Sequence, residues 1–171
     1  MHSIHRSHLI RAIAMGGLAA GVLDAIDAVV AFKAVLGFDP VPIYQFVASG
    51  MLGPRAFAGG TATALVGLGI HFLIAFSAAA VFVLASARWR GLVRHFAGAG
   101  MLYGVGVFVV MSYVVIPLSR IPAAPFSLPL FLNGIIGHAL LVGLPIAYAA
   151  KRYLASDGVT SPMLGRPVES T

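Results

Sequence analysis

Residues 9–36 read LIRAIAMGGLAAGVLDAIDAVVAFKAVL, and this stretch decides the fold. It is apolar for long enough to cross a hydrocarbon core of about 30 Å, which needs about 20 residues as a helix. Its small residues Gly17, Ala20, Gly21, Asp24, Ala28 and Ala31 recur at three- and four-residue spacing, as on a helix face that packs against other helices. Asp24 and Asp27 lie on or beside that face, although the whole chain has only five acidic residues. A carboxylate at a helix centre in a bilayer costs about 2.5–3.5 kcal/mol, so it needs a partner, a wet cavity or a proton.

The rest of the chain repeats the pattern. No Asp, Glu, Lys or Arg occurs between Arg55 and Arg88, between Arg94 and Arg120, or between Arg120 and Lys151. With 60% hydrophobic and 9% charged residues, the composition is that of a membrane protein. The expected fold is all-α, a polytopic four-helix membrane bundle spanning residues 9–36, 61–87, 96–117 and 128–150. Helices are required because these runs lack the alternation of a barrel strand, and lipid leaves no other partner for backbone groups.

Arg6, Arg11, Arg88, Arg90, Arg94, Lys151, Arg152 and Arg166 fall on one side, against Lys33, Arg55 and Arg120 on the other. Eight against three places both termini in the cytoplasm. The net charge of +6 is then explained by topology and anionic lipid headgroups, so no nucleic-acid partner is inferred. The bilayer is the partner the composition dictates; a second copy or a partner membrane subunit is a further candidate.

The segment before Arg11, with His2, His5 and His8, reads as a solvated interfacial arm leading into an uncleaved first helix. Residues 155–171, rich in Ser, Pro, Gly and Thr, read as a disordered cytoplasmic tail. Between the first two spans, Pro40 and Pro42 open a segment in which Ile43, Tyr44, Phe46, Val47, Met51 and Leu52 repeat at helical spacing up to Gly53 and Pro54. A short amphipathic helix at the outer interface is expected, with a re-entrant lid as the alternative.

The second and fourth spans each carry a glycine four residues before their only histidine: Gly67 and His71, Gly134 and His138. The first and third share a glycine-rich start, Gly16, Gly17 and Gly21 against Gly98, Gly100 and Gly104. This is the pattern of a parallel repeat of two helical hairpins. At about 1.5 Å per residue, Asp27, His71, His138 and Asp24 lie about 14–18 Å from the outer helix ends, in one layer near the midplane.

Burial disfavours the charged form of both carboxylate and imidazolium, while each favours the other's charge, so a buried Asp and His can share or pass a proton. Asp24, Asp27, His71 and His138 are therefore the candidate polar site. A static polar cluster that orders the helices is the plain alternative. His71 and His138 as axial ligands of a b-type haem are a sharper one, with the two glycines leaving room for the macrocycle. A divalent metal on the same four side chains is another. No cofactor is specified. Asn133, Ser77 and Ser112 are candidates for interhelical hydrogen bonds, and Trp89, Tyr103, Tyr148 and Tyr153 for boundary aromatics. With no cysteine, nucleophile elbow, phosphate loop or zinc-protease motif, nothing points to an enzyme.

GIHFLIAFSAAAVF around His71, VVMSYVVIPLSRIPAAP at the exit of the third span and NGIIGHALLVGLPIAYAAKRY in the fourth resemble the YagU-like family of small bacterial inner-membrane proteins. The resemblance covers about residues 16–153 and implies that His71, Pro117 and His138 are family positions, with a loose link to acid tolerance. It does not extend to Asp24 and Asp27.

Overall fold

The computed structural model describes residues 6–155, so His2, His5 and residues 156–171 lie outside it. The described residues form helices and no strands. Four helices are long and apolar enough to cross a membrane: α1 (Arg6–Leu36), α3 (Gly60–Arg88), α5 (Phe96–Leu118) and α6 (Leu128–Leu154). A shorter α2 (Pro40–Leu52) joins α1 to α3, and α4 (Arg90–Arg94) joins α3 to α5. The four long helices start within three residues of the expected spans, and α6 runs four residues further, to Leu154.

Turn chemistry sets the breaks. Gly37 takes φ 72°, and its N–H donates to the Lys33 carbonyl at 3.0 Å, a left-handed cap that ends α1. Asp39 then pairs with Lys33 at 2.7 Å on the surface, and Pro40 and Pro42 start α2 where a missing N–H costs nothing. Gly53 (φ 64°) and Gly60 (φ 56°) bracket the 3-10 turn Gly53–Ala58.

The long helices are held by backbone approach at small residues, as expected where lipid removes the hydrophobic drive between helices. α1 packs against α3 and α6, and α6 packs against α5. Gly17 and Gly21 of α1 receive Phe76 and Phe72 of α3, while Gly100 and Gly104 of α5 meet Gly143 and His138 of α6. The two hairpins therefore use corresponding glycines against corresponding turns, as the sequence repeat anticipates. At the end that carries Arg88, Arg90, Arg94 and Lys151, the interior is solid: Ala12, Ala79, Phe82, Val83, Ile146, Ala150 and Leu154 form one buried cluster. Arg90 donates to the Leu154 carbonyl at 2.9 Å and so ties α4 to the end of α6.

The opposite half, beside α2, holds cavities of about 800 and 530 Å³. Gly67 of α3 lets the α2 backbone approach so closely that a Cβ would overlap the Tyr44 carbonyl. Gln45 donates to the Gly60 carbonyl at 3.0 Å, and the Arg120 N–H donates to the Gly50 carbonyl at 3.1 Å. The buried residues of α2 are Ile43, Gln45, Ala48 and Ser49, whereas Met51 and Leu52 of the expected apolar face are exposed. Gln45 and Ser49 face inward because their polar atoms find carbonyl or hydroxyl partners, which apolar periodicity does not count.

Two π-helical turns interrupt the long helices, Met111–Val115 in α5 and His138–Gly143 in α6. Each is followed within two residues by a proline, Pro117 and Pro145. A proline inside a helix cannot donate, and its ring collides with the carbonyl four residues back, so the turn before it widens. Met111 and His138, the first residues of these turns, both face the centre of the molecule.

Candidate functional site

Asp24 stands between the two membrane histidines. Its Oδ2 lies 3.9 Å from His71 Nδ1 and its Oδ1 3.8 Å from His138 Nδ1, with side-chain exposures of 21%, 14% and 22% for Asp24, His71 and His138. These distances exceed a direct hydrogen bond but suit one bridging water. A cavity of about 110 Å³ adjoins all three side chains and is otherwise walled by apolar groups such as Ala20, Val47, Ile74, Met111 and Val142. At about 30 Å³ per water it has room for about three to four.

The tautomer of His71 follows from its surroundings. Its Nε2 lies 2.8 Å from the Gly21 carbonyl oxygen, and a carbonyl only accepts, so Nε2 carries the hydrogen. The neutral ring then turns an acceptor, Nδ1, toward the Asp24 carboxylate. Two acceptors facing each other across a few ångströms repel unless a proton, a water or a cation lies between them. Gly21 makes this possible twice over, since it has no side chain to shield its carbonyl and it leaves room for Phe72 beside the histidine. One turn further along α1, the Tyr44 hydroxyl of α2 donates to the Ala25 carbonyl at 3.2 Å, and its ring stands edge-on to His71 with centroids 6.4 Å apart.

Asp27 belongs to a different arrangement. Its Oδ2 accepts from Asn133 Nδ2 at 2.7 Å, a clamp between α1 and α6. Gly137 leaves the room for it, because a Cβ there would lie 2.8 Å from the same oxygen. The four-residue set of Asp24, Asp27, His71 and His138 thus divides: Asp24 sits with both histidines, and Asp27 sits with Asn133. In a helix, positions three residues apart differ by about 60° around the axis, enough to aim one carboxylate at α3 and α6 together and the other at α6 alone.

This division removes the four-ligand metal arrangement, and among the described residues no group of three or more His, Asp or Glu is placed to hold a metal ion. Haem does not fit either. The Asp24 carboxylate occupies the space between the histidines, Gly67 is filled by the α2 backbone, and Gly134 is filled by the Phe108 ring. The two glycines serve helix packing and leave no slot for a macrocycle.

Two further expectations are corrected. Ser77 donates to the Leu73 carbonyl of its own helix at 2.7 Å rather than to a neighbour. Tyr103 is half-buried, donates to the Ala78 carbonyl at 2.8 Å and packs on Phe82, so it links α5 to α3 instead of marking a boundary. Ser112 lines an apolar cavity near Phe32 and Phe126. Sequence reasoning missed Tyr44 and Met111 as neighbours of the site; the proline six residues after Met111 was the available signal for a widened turn there.

Compared with protein-family models, with curated proteins and with solved structures, the chain matches none.

Proposed function

We propose that this chain is an integral inner-membrane protein with cytoplasmic termini, in which Asp24, His71 and His138 form a proton-responsive site near the bilayer midplane. The carrying observation is the single carboxylate set between two imidazole Nδ1 atoms, one of them held as an acceptor by the Gly21 carbonyl. A proton taken up there turns two facing acceptors into a donor and an acceptor, which changes the attraction between α1, α3 and α6. Small changes of that kind bias packed helices between discrete arrangements. The widened turns beginning at Met111 and His138 supply a place where α5 and α6 can adjust. The α2 segment acts as a re-entrant cover on the outer side of the site, in place of a helix resting flat on the interface; Val47 in the cavity wall and Tyr44 beside His71 support this. No covalent chemistry belongs to this role. The likeness to the YagU-like proteins and their link to acid tolerance agree with it.

The test is a pH step imposed on vesicles holding the purified protein and an internal pH dye. Wild type is expected to relax the internal pH faster than empty vesicles, with Asp24→Asn and His71→Gln returning to the empty-vesicle rate while unfolding at the same detergent midpoint. Unchanged relaxation together with lowered stability would instead make the cluster a structural contact of an accessory membrane subunit. The Asp27–Asn133 clamp already plays such a part elsewhere in the bundle.

A further inference from the structure

The site at Asp24 adjoins a much larger apolar space. A cavity of about 530 Å³ lies between α2, α3 and α5. It shares Val47, Ile74 and Met111 with the wall of the small polar cavity, so these three side chains border both spaces. Its far side is bounded by Met51 and Leu118, which are 67% and 83% exposed on a surface that faces hydrocarbon in a membrane. Its volume falls in the range of small-molecule pockets, about 300–1,000 Å³. The partition is also deformable: Met111 is an unbranched, flexible side chain at the start of a widened turn, and Val47 rides on α2.

The charge of the joined space is one-sided. Its wall contains Asp24 and no Lys or Arg. His71 Nδ1 is an acceptor because Nε2 donates to Gly21, and the Asp24 carboxylate lies 3.9 Å from it. An ammonium group has three N–H donors and one positive charge, which matches this set of acceptors, whereas a carboxylate or phosphate finds no cationic side chain to meet it.

We infer that the site binds a lipophilic primary ammonium ion, with its head at Asp24 between His71 and His138 and its alkyl or aromatic body in the cavity between α2, α3 and α5. The ammonium takes the place of the shared proton, so the two compete. The molecule enters sideways from the outer leaflet past Met51 and Leu118, because the solid core around Phe82 and Ile146 closes the basic end. This rests on the proposed role of Asp24 as a proton-responsive group.

The experiment uses the full chain in lipid nanodiscs, with butylammonium, octylammonium, octan-1-ol and octanoate as probes. Saturable binding is measured by equilibrium partition against empty nanodiscs, and proton release by a pH dye at neutral pH. Octylammonium is expected to bind at least tenfold more tightly than octanol or octanoate, to release protons on binding and to weaken as the pH falls. Asp24→Asn should lose at least tenfold in affinity and all proton release, while Asp24→Glu keeps both. Gly50→Leu adds a side chain to the apolar cavity from a position where a Cβ meets only ordinary contacts, 3.6 Å from Ile121, so it should erase the preference for octyl over butyl chains. Binding that ignores charge, survives Asp24→Asn or keeps its chain-length preference in Gly50→Leu overturns the inference. If vesicles show Asp24-dependent proton flux but octylammonium releases no proton, the inference fails and the proton-responsive reading stands. Asp24-dependent octylammonium binding with proton release but no flux upholds the inference and limits the proposed role to proton binding without transport.

Discussion

Gly104 and Gly106 lie two residues apart on α5 and should respond oppositely to the same substitution. At Gly106 a Cβ meets nothing within 4 Å, so Gly106→Ala adds only helix propensity, a gain of about 0.8–1.0 kcal/mol. At Gly104 a Cβ would overlap the His138 carbonyl oxygen and lie 2.7 Å from its carbon and 2.9 Å from Ala139 Cα, where ordinary contact begins at 3.4 Å. Backbone cannot rotate aside as a side chain can, so α5 and α6 must part by about 1 Å or more to clear the His138 carbonyl oxygen, and a gap of that size forfeits about half of each van der Waals contact along the seam. The expected loss is the usual cost of overpacking, about 1–3 kcal/mol. Because both variants share the propensity gain, the difference between them isolates the seam. Equilibrium unfolding in mixed micelles, followed by circular dichroism, should place Gly104→Ala about 1–3 kcal/mol below Gly106→Ala. Equal midpoints would refute the close approach of α5 and α6 at His138, and with it the placement of His138 beside Asp24.

Asp27→Ala leaves the Asn133 amide without its partner and should cost about 1 kcal/mol in the same unfolding assay, as interhelical hydrogen bonds in membranes do. Gly137→Ala should reproduce that loss by displacing the Asp27 carboxylate, and neither variant should alter proton release; a shift in proton release would join Asp27 to the Asp24 site. Gly67→Ala drives a methyl group into the Tyr44 carbonyl and should loosen α2, seen as faster maleimide labelling of the buried Ser49→Cys; unchanged labelling would mean that α2 is held elsewhere. Since the chain has no cysteine, single-cysteine reporters are clean: Arg55→Cys should react with an impermeant maleimide in whole cells and Arg94→Cys only after permeabilisation, and the reverse pattern would invert the topology.

Four long helices and their boundaries were legible in the sequence because hydrocarbon thickness and charge exclusion act on each segment alone, whatever its neighbours do. Gly17, Gly21, Gly100 and Gly104 could be read as packing positions for the same reason, since spacing on one helix reveals its small face. The sequence also marked Asp24, Asp27, His71 and His138 as residues that require partners, but it could not pair them. Asp24 and Asp27 differ by three positions on one helix, and which of them meets a histidine depends on the rotation of α1 against α3 and α6. That rotation is fixed by contacts far apart in the chain: Gly21 against Phe72, Gly16 against Ile146, and Gly137 making room for Asp27. The packed face of α2 was hidden likewise, because Gln45 and Ser49 look solvated until the α3 terminus and the turn of α2 satisfy their hydrogen bonds. Local sequence determines how long each helix is and which face is small; only packing of all four determines which carboxylate shares a cavity with two imidazoles, since a side chain's partner is set by the azimuth of helices that carry no local record of it.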